Sequence, residues 1–212
     1  AIVAIGADAL AFLADPATTP FPGVPVVFGL VPEEEVAERR LPPGLTGVAD
    51  HFGLRETLDL ALALFPETQH VALVGGASAQ DRANNALLRR TVEGRRGLDV
   101  VELFALPMND LQDRLRALPP RTVVLALSFL QGGAGRQWTA QQSVPAMVSA
   151  SPAPLFSFFE HTVGLGTIGG FVTDFRESGR SAAQAVLRVL AGEEAGSIPI
   201  RHRASERAVL DA

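Results

Sequence analysis

Ser78 and Asp81 stand three residues apart, just after the apolar run His70–Gly76. A strand that ends in glycines and leads into a helix leaves backbone N–H groups unpaired at the helix start. Ser78 can cap that helix, with Asp81 in a capping-box-like position. The same N–H groups and the Ser78 hydroxyl can also receive a polar group of a ligand, and the two uses are compatible. Gly132-Gly133-Ala134-Gly135 follows the run Thr122–Phe129 in the same way, with Gln131 at its mouth offering one acceptor and two donors. Phe158-Phe159-Glu160-His161 closes the run Pro154–Phe158 and adds two rings, a carboxylate and an imidazole. Such a carboxylate–imidazole pair could exchange protons. No nucleophile accompanies it in sequence, and a surface pair is the simpler reading.

Other patterns fail on context or inventory. Gly164-Leu165-Gly166-Thr167-Ile168-Gly169 matches G-x-G-x-x-G. Dinucleotide binding needs a strand before those glycines and a helix after them, whereas here a strand follows, so the motif reads as a flexible approach to a hinge. The chain has no Cys and no Tyr, and all its basic side chains other than His are Arg. Thiol catalysis, disulfides, Cys-based zinc sites, Schiff-base or P-loop lysines and tyrosine acid/base chemistry are thereby excluded. His51, His70, His161 and His202 show no ligand spacing, so no metal is assigned. No G-x-S-x-G elbow is present. No cofactor is expected, and the chain reads as a binding domain rather than an enzyme.

The elements that must position these residues fall into two sets. Near-continuous apolar runs at His70–Gly76, Val100–Ala105, Thr122–Phe129 and Pro154–Phe158 alternate with amphipathic stretches: Leu87, Leu88 and Val92; Leu111 and Leu115; and a helix around Trp138–Val148. That alternation predicts a parallel sheet covered on both faces. The opening of the chain holds Ile2–Ile5, Pro25–Leu30 and Thr46–Asp50, with a helix from Pro32 through Glu33-Glu34-Glu35 to Arg39-Arg40 whose charges complement its macrodipole. Leu54, Leu58, Ala61, Leu62 and Phe65 recur at helical spacing up to Pro66.

A late strand-like run, Gly169–Phe175, precedes the helix-like Ser178–Leu190. The opening set is short of strands, so this βα piece is expected to return to it. The division that follows places residues 1–50 plus 168–200 in a first lobe, 51–167 in a second, and 201–212 in an exiting tail. Ligands of open α/β sheets bind beyond the carboxyl ends of the strands, so function is expected in a cleft there. Because Ile2–Ile5 opens the chain inside a strand, the sequence reads as a fragment with an incomplete first lobe.

With 212 residues, 47% of them hydrophobic, the chain can bury a substantial core. Its formal charge of -5 and scattered arginines predict no nucleic-acid partner. No stretch approaches 18 continuous apolar residues, and no signal peptide is visible.

Six segments in order carry a family resemblance: Phe21–Phe28 (FPGVPVVF), Leu41–Val48 (LPPGLTGV), Val71–Gly76 (VALVGG), Leu118–Leu125 (LPPRTVVL), Gly169–Phe175 (GGFVTDF) and Gly179–Ala183 (GRSAA). The series resembles the ABC-transporter substrate-binding-like sensor domains that precede bacterial histidine kinases, of the type I periplasmic-binding-protein fold. The resemblance implies an α/β chain of two Rossmann-like lobes with parallel sheets, the first lobe N-terminally truncated here. It implies an extracytoplasmic domain, tethered to the inner membrane in the full-length protein, that closes its lobes on a small molecule without transforming it. The partner would be a membrane-attached kinase, reached through a tail such as Arg207–Ala212. A homodimer is left open, and the ligand is not named.

Candidate ligand-binding positions at strand ends are Gly6, Ala7, Asp8, Val31, Pro32 and Asp50 in the first lobe, and Gly76, Ala77, Ser78, Asp81, Gln131, Phe159, Glu160 and His161 in the second. Acids outnumber bases among them, which favours a neutral or amine-bearing ligand. The only Trp, Trp138, falls in a predicted helix, away from sugar stacking. A solute-binding protein of an ABC importer is the alternative, followed by an α/β enzyme and by the effector half of a transcription regulator.

Overall fold

The structure is a computed structural model that describes residues 1–15, 21–203 and 208–211. In chain order it runs β1 (Ile2–Ile5), α1 (Ala7–Ala14), β2 (Val26–Pro32), α2 (Glu33–Glu38), β3 (Leu45–Asp50), α3 (Leu54–Leu64), β4 (His70–Gly75), α4 (Ala79–Val92), β5 (Asp99–Phe104), α5 (Met108–Arg116), β6 (Thr122–Ala126), α6 (Ala140–Ala150) and β7 (Leu155–Ser157). It continues with a 3-10 turn at Glu160–Thr162, β8 (Gly169–Phe171), α7 (Phe175–Leu190), a second 3-10 turn at Ala195–Ser197, β9 (Arg201–Arg203) and β10 (Ala208–Leu210). The strands form two sheets, β1-β2-β3-β9 and β10-β8-β7-β6-β4-β5. The fold is α/β with parallel sheets, as the alternation of apolar runs and amphipathic helices predicts.

The chain divides into two compact lobes: Ala1–Phe52 with Thr173–Ser205, and Gly53–Val172 with Glu206–Ala212. In the first lobe Ala4, Leu10, Leu13, Val26, Phe28, Val31 and Ala49 form one core between α1 and the sheet. α7 packs against β2 and β3. Close packing of β2 on β3 requires glycine at 47, since a Cβ there would lie 2.2 Å from the Phe28 carbonyl oxygen. In the second lobe Ala72, Val74, Leu103, Leu111, Leu115, Val124, Met147 and Leu155 gather strands and helices α5 and α6 into a second core. Parallel strands buried on both faces explain why these runs are almost wholly apolar.

Two expectations about the end of the chain need correction. The run Gly169–Phe175 does not join the first lobe as a strand. Only Gly169–Phe171 is extended, and it pairs in the second sheet, where Gly169 sits beside Phe156 of β7. Both glycines are dictated by their neighbours: a Cβ on Gly169 would fall 1.9 Å from the Val209 carbonyl oxygen, and one on Gly170 would fall 2.4 Å from that of Ser157. The lobe boundary therefore falls after Val172 rather than at 168, and the chain re-enters the first lobe with the helix α7 rather than with a strand. The described residues of the expected exiting tail 201–212 pair into the sheets instead, and residues 204–207 and 212 lie outside the described residues. Arg201–Arg203 pairs parallel with Val48–Asp50 as the fourth strand of the first sheet, and Ala208–Leu210 pairs antiparallel with Gly169–Phe171 at the edge of the second. Three-residue edge strands are held by main-chain hydrogen bonds, so they leave little side-chain pattern to read.

Trp138 also departs from expectation. It lies in the loop before the α6 cap Thr139, edge-on to Phe129 at 6.5 Å and beneath the Arg136 guanidinium at 4.3 Å.

Candidate ligand-binding site

In the second lobe the carboxyl ends of β4, β6 and β7 lie side by side, because these strands are consecutive in the sheet. Ser78 caps α4: its hydroxyl accepts from the Asp81 N–H at 3.0 Å, while the Asp81 carboxylate accepts from the Ser78 N–H at 3.1 Å. The capping box inferred from the Ser–Asp spacing is present. Asp81 does more than close it. Its carboxylate also accepts from Ser128 Oγ at 2.6 Å, from the Leu130 N–H at 3.1 Å and from the Gln131 N–H at 3.1 Å. With the residue fully buried, a carboxylate held by this many donors is a clamp between the β4 and β6 loops rather than a ligand contact.

Gly76 belongs to the same clamp. Its N–H donates to the Ser128 carbonyl at 3.1 Å, its carbonyl accepts from Asn85 Nδ2 at 3.1 Å, and a Cβ there would meet an Asp81 carboxylate oxygen at 2.3 Å. The Ala77 N–H donates to the Gln131 carbonyl at 2.7 Å. The Gln131 side chain turns to the Gly135 carbonyl at 3.1 Å. Gly76, Ala77, Ser78, Asp81 and Gln131 are therefore brought together, mostly by bonds to one another. Asn84 and Ser128 join them, Asn84 Nδ2 donating to Ser128 Oγ at 2.9 Å. Sequence reasoning missed both. The cue for Asn84 was a polar residue one turn after Asp81 inside an otherwise amphipathic helix. Ser128 carried no cue at all.

Phe159, Glu160 and His161 form a separate group beyond β7. A 3-10 turn, closed by Thr162 Oγ1 donating to the Phe159 carbonyl at 2.6 Å, folds the ring of Phe159 over His161. The two rings are 5.7 Å apart and nearly parallel. Partial burial holds the His161 imidazole pKa below its ordinary value, so the ring is neutral near neutral pH. Glu160 is exposed.

In the first lobe the predicted residues are mostly structural. Val31 and Ala7 lie in the core, and Pro32 is buried at the end of β2. Gly6 makes the left-handed turn into α1, its N–H donating to the Gly29 carbonyl at 2.9 Å, and Asp8 stands exposed in the first helical turn. Asp50 is buried, accepting from the Leu30 N–H at 3.1 Å and from Ser178 Oγ at 2.7 Å. It thereby holds the β2 irregularity between Phe28 and Val31, where Leu30 takes a left-handed conformation, and ties α7 to the sheet. Burial and existing partners make Val31, Pro32 and Asp50 poor ligand contacts. Just beyond them, Glu33 and His51 are paired at 2.5 Å and partly exposed.

No helix among the described residues is long and apolar enough to cross a membrane. Residues 2–212 match the family model of ABC transporter substrate binding proteins. No curated protein matches. Among solved structures, the chain is similar to a conserved domain protein from Vibrio cholerae, at 22% identity and a TM-score of 0.73 over 98% of this chain and 69% of that one. An ABC domain in complex with L-Trp from Streptococcus pneumonia aligns at 18% identity, with a TM-score of 0.72 over 98% and 70% of the two chains. A substrate binding protein with adhesive properties from Clostridium difficile, in a ligand-free, open structure, aligns at 16% identity and a TM-score of 0.66 over 98% and 68%. At these identities the structural likenesses speak to the fold, which they share with this chain over nearly its whole length. The family match spans the chain, and we conclude that it belongs to the ABC transporter substrate-binding protein family.

Proposed function

We propose that this chain is an extracytoplasmic, non-catalytic domain that binds a small organic solute for an ABC importer. The family match across residues 2–212 carries the reading. The strand ends of the second lobe support it, with a buried polar clamp at Ser78, Asp81 and Ser128 and a separate stacked Phe159–His161 ring pair. The inventory supports it too, since Cys, Lys and Tyr are missing. A sensor role in front of a histidine kinase would use the same binding step. The sequence resemblance favours that second reading, and the family match favours the importer.

The ligand we propose is a planar, neutral or zwitterionic solute of amino-acid size, its ring lying against Phe159. The stacked rings motivate this choice, as does the L-Trp held by the streptococcal relative. A thermal-shift screen of amino acids, sugars, purines and organic acids tests it. A true ligand at 100-fold its Kd raises stability by about 2.7 kcal/mol. Phe159→Ala should weaken the best hit about tenfold, since ring stacking contributes about 0.5–1.5 kcal/mol beyond area burial. A screen in which aromatic solutes give no shift while sugars do would overturn the ligand class. Ligand-driven closure of the lobes is the accompanying proposal, read as a fall in radius of gyration by small-angle scattering.

A further inference from the structure

We infer that the first lobe carries a divalent transition-metal site formed by Glu33, Glu34 and His51. The site follows from strand register. β2 and β3 run parallel with Pro32 opposite Asp50, so the next residue of each chain segment, Glu33 and His51, emerges side by side at the carboxyl end of the sheet. Asp50 cannot serve as a donor, because its carboxylate is buried on the Leu30 N–H and Ser178 hydroxyl. It instead fixes the strand end from which His51 projects.

His51 Nδ1 lies 2.5 Å from Glu33 Oε1, and potential ligand atoms of Glu33, Glu34 and His51 all lie within 4.8 Å of one another. Tetrahedral zinc with bonds near 2.0–2.2 Å places its ligand atoms about 3.3 Å apart. The imidazole and the Glu33 carboxylate would therefore separate by less than about 1 Å to admit the ion, within the reach of side-chain rotation. Side chains of His51 and Glu33 are 27% and 33% exposed, so an ion can enter without unfolding the strand ends.

The donor set selects the metal. One imidazole nitrogen with two carboxylate oxygens suits Zn²⁺, Co²⁺ or Ni²⁺, whereas Ca²⁺ and Mg²⁺ prefer oxygen alone. Two carboxylates balance the charge of a divalent ion, and three protein ligands leave a fourth position open to water. Sequence spacing could not expose this site, because its ligands come from the first residues of α2 and the residue after β3, and only the β2–β3 register unites them.

The inference does not depend on the solute reading, and its test uses metal alone. Titration of the chain with ZnCl₂ in chelator-free buffer should show one site per chain. Co²⁺ should give the visible absorption of a low-symmetry four-coordinate ion. His51→Ala and Glu34→Gln should each weaken binding by at least about tenfold, the scale reached even by loss of an outer-shell partner. Glu34→Gln keeps the Glu33–His51 hydrogen bond, so it decides the matter if His51→Ala fails to fold. No zinc binding to the parent chain, or parent-like affinity in the folded variants, would overturn the site.

Discussion

Asp81 shows how far a single residue can be read from its neighbours and where that reading stops. The Ser78-to-Asp81 spacing announces a capping box, and the box is there. The other donors, Ser128, Leu130 and Gln131, come from 47 to 50 residues away and only the fold delivers them. An acid that reads as a ligand contact in sequence becomes a buried clamp in three dimensions. Asp81→Ala would strand the N–H groups of Ser78, Leu130 and Gln131 and is expected to cost about 3 kcal/mol. Calorimetry should then show a melting temperature roughly 6–12 °C lower; an unchanged midpoint would mean the carboxylate is not holding the loops. His161 gives a second test at this scale. Its folded pKa is depressed by burial, so the stability tied to its neutral form is present above the ordinary imidazole value and is lost as pH falls through the folded value. An NMR titration should place its midpoint below the ordinary imidazole value, and a midpoint at or above that value would mean that burial does not disfavour the charged ring.

Longer apolar strands were legible, and the three-residue strands β8, β9 and β10 were not. β4 and β6 announce themselves because both faces of each strand are covered, leaving Val71–Val74 and Val123–Leu125 wholly apolar. β9 consists of Arg201, His202 and Arg203, a set that no hydrophobic pattern could mark as a strand. β8 misled in the opposite sense, since the apolar letters of Gly169–Phe175 run on past the three residues that pair. What specifies β8 is the absence of side chains. The Gly169 backbone has φ +101°, a region costly for any L side chain, and a Cβ there would collide with β10. Gly169→Ala should therefore detach β10 while sparing the interior strands. Hydrogen exchange should quicken at the amides of Gly169–Phe171 and Ala208–Leu210 and stay slow in β4 and β6. Uniformly faster exchange across the lobe would show instead that β8 and the core open as one unit.

At the scale of the whole molecule, the division into two lobes was legible from the alternation of runs. The route of the chain between them was off by a strand, for the reasons that hid β8, β9 and β10. That route makes the two lobes unequal as folding units. The second takes nearly all of its core from one continuous segment, Gly53–Val172, and receives only the edge strand β10 from elsewhere. The first is assembled from two distant segments: α7 covers β2 and β3, Ser178 bonds Asp50 across 128 residues, and Thr46 donates to the Ile198 carbonyl across 152. Closing such long loops before any contact forms is entropically costly. Residues 53–172 alone should consequently give a cooperative thermal transition and dispersed amide resonances. Residues 1–52 alone should give neither, because one face of their sheet would lie bare and the Asp50 carboxylate would lose its α7 partner. A cooperative transition from the 1–52 peptide would mean that α1 and the β1–β3 core suffice without α7, and the dependence of the first lobe on the returning helix would be wrong.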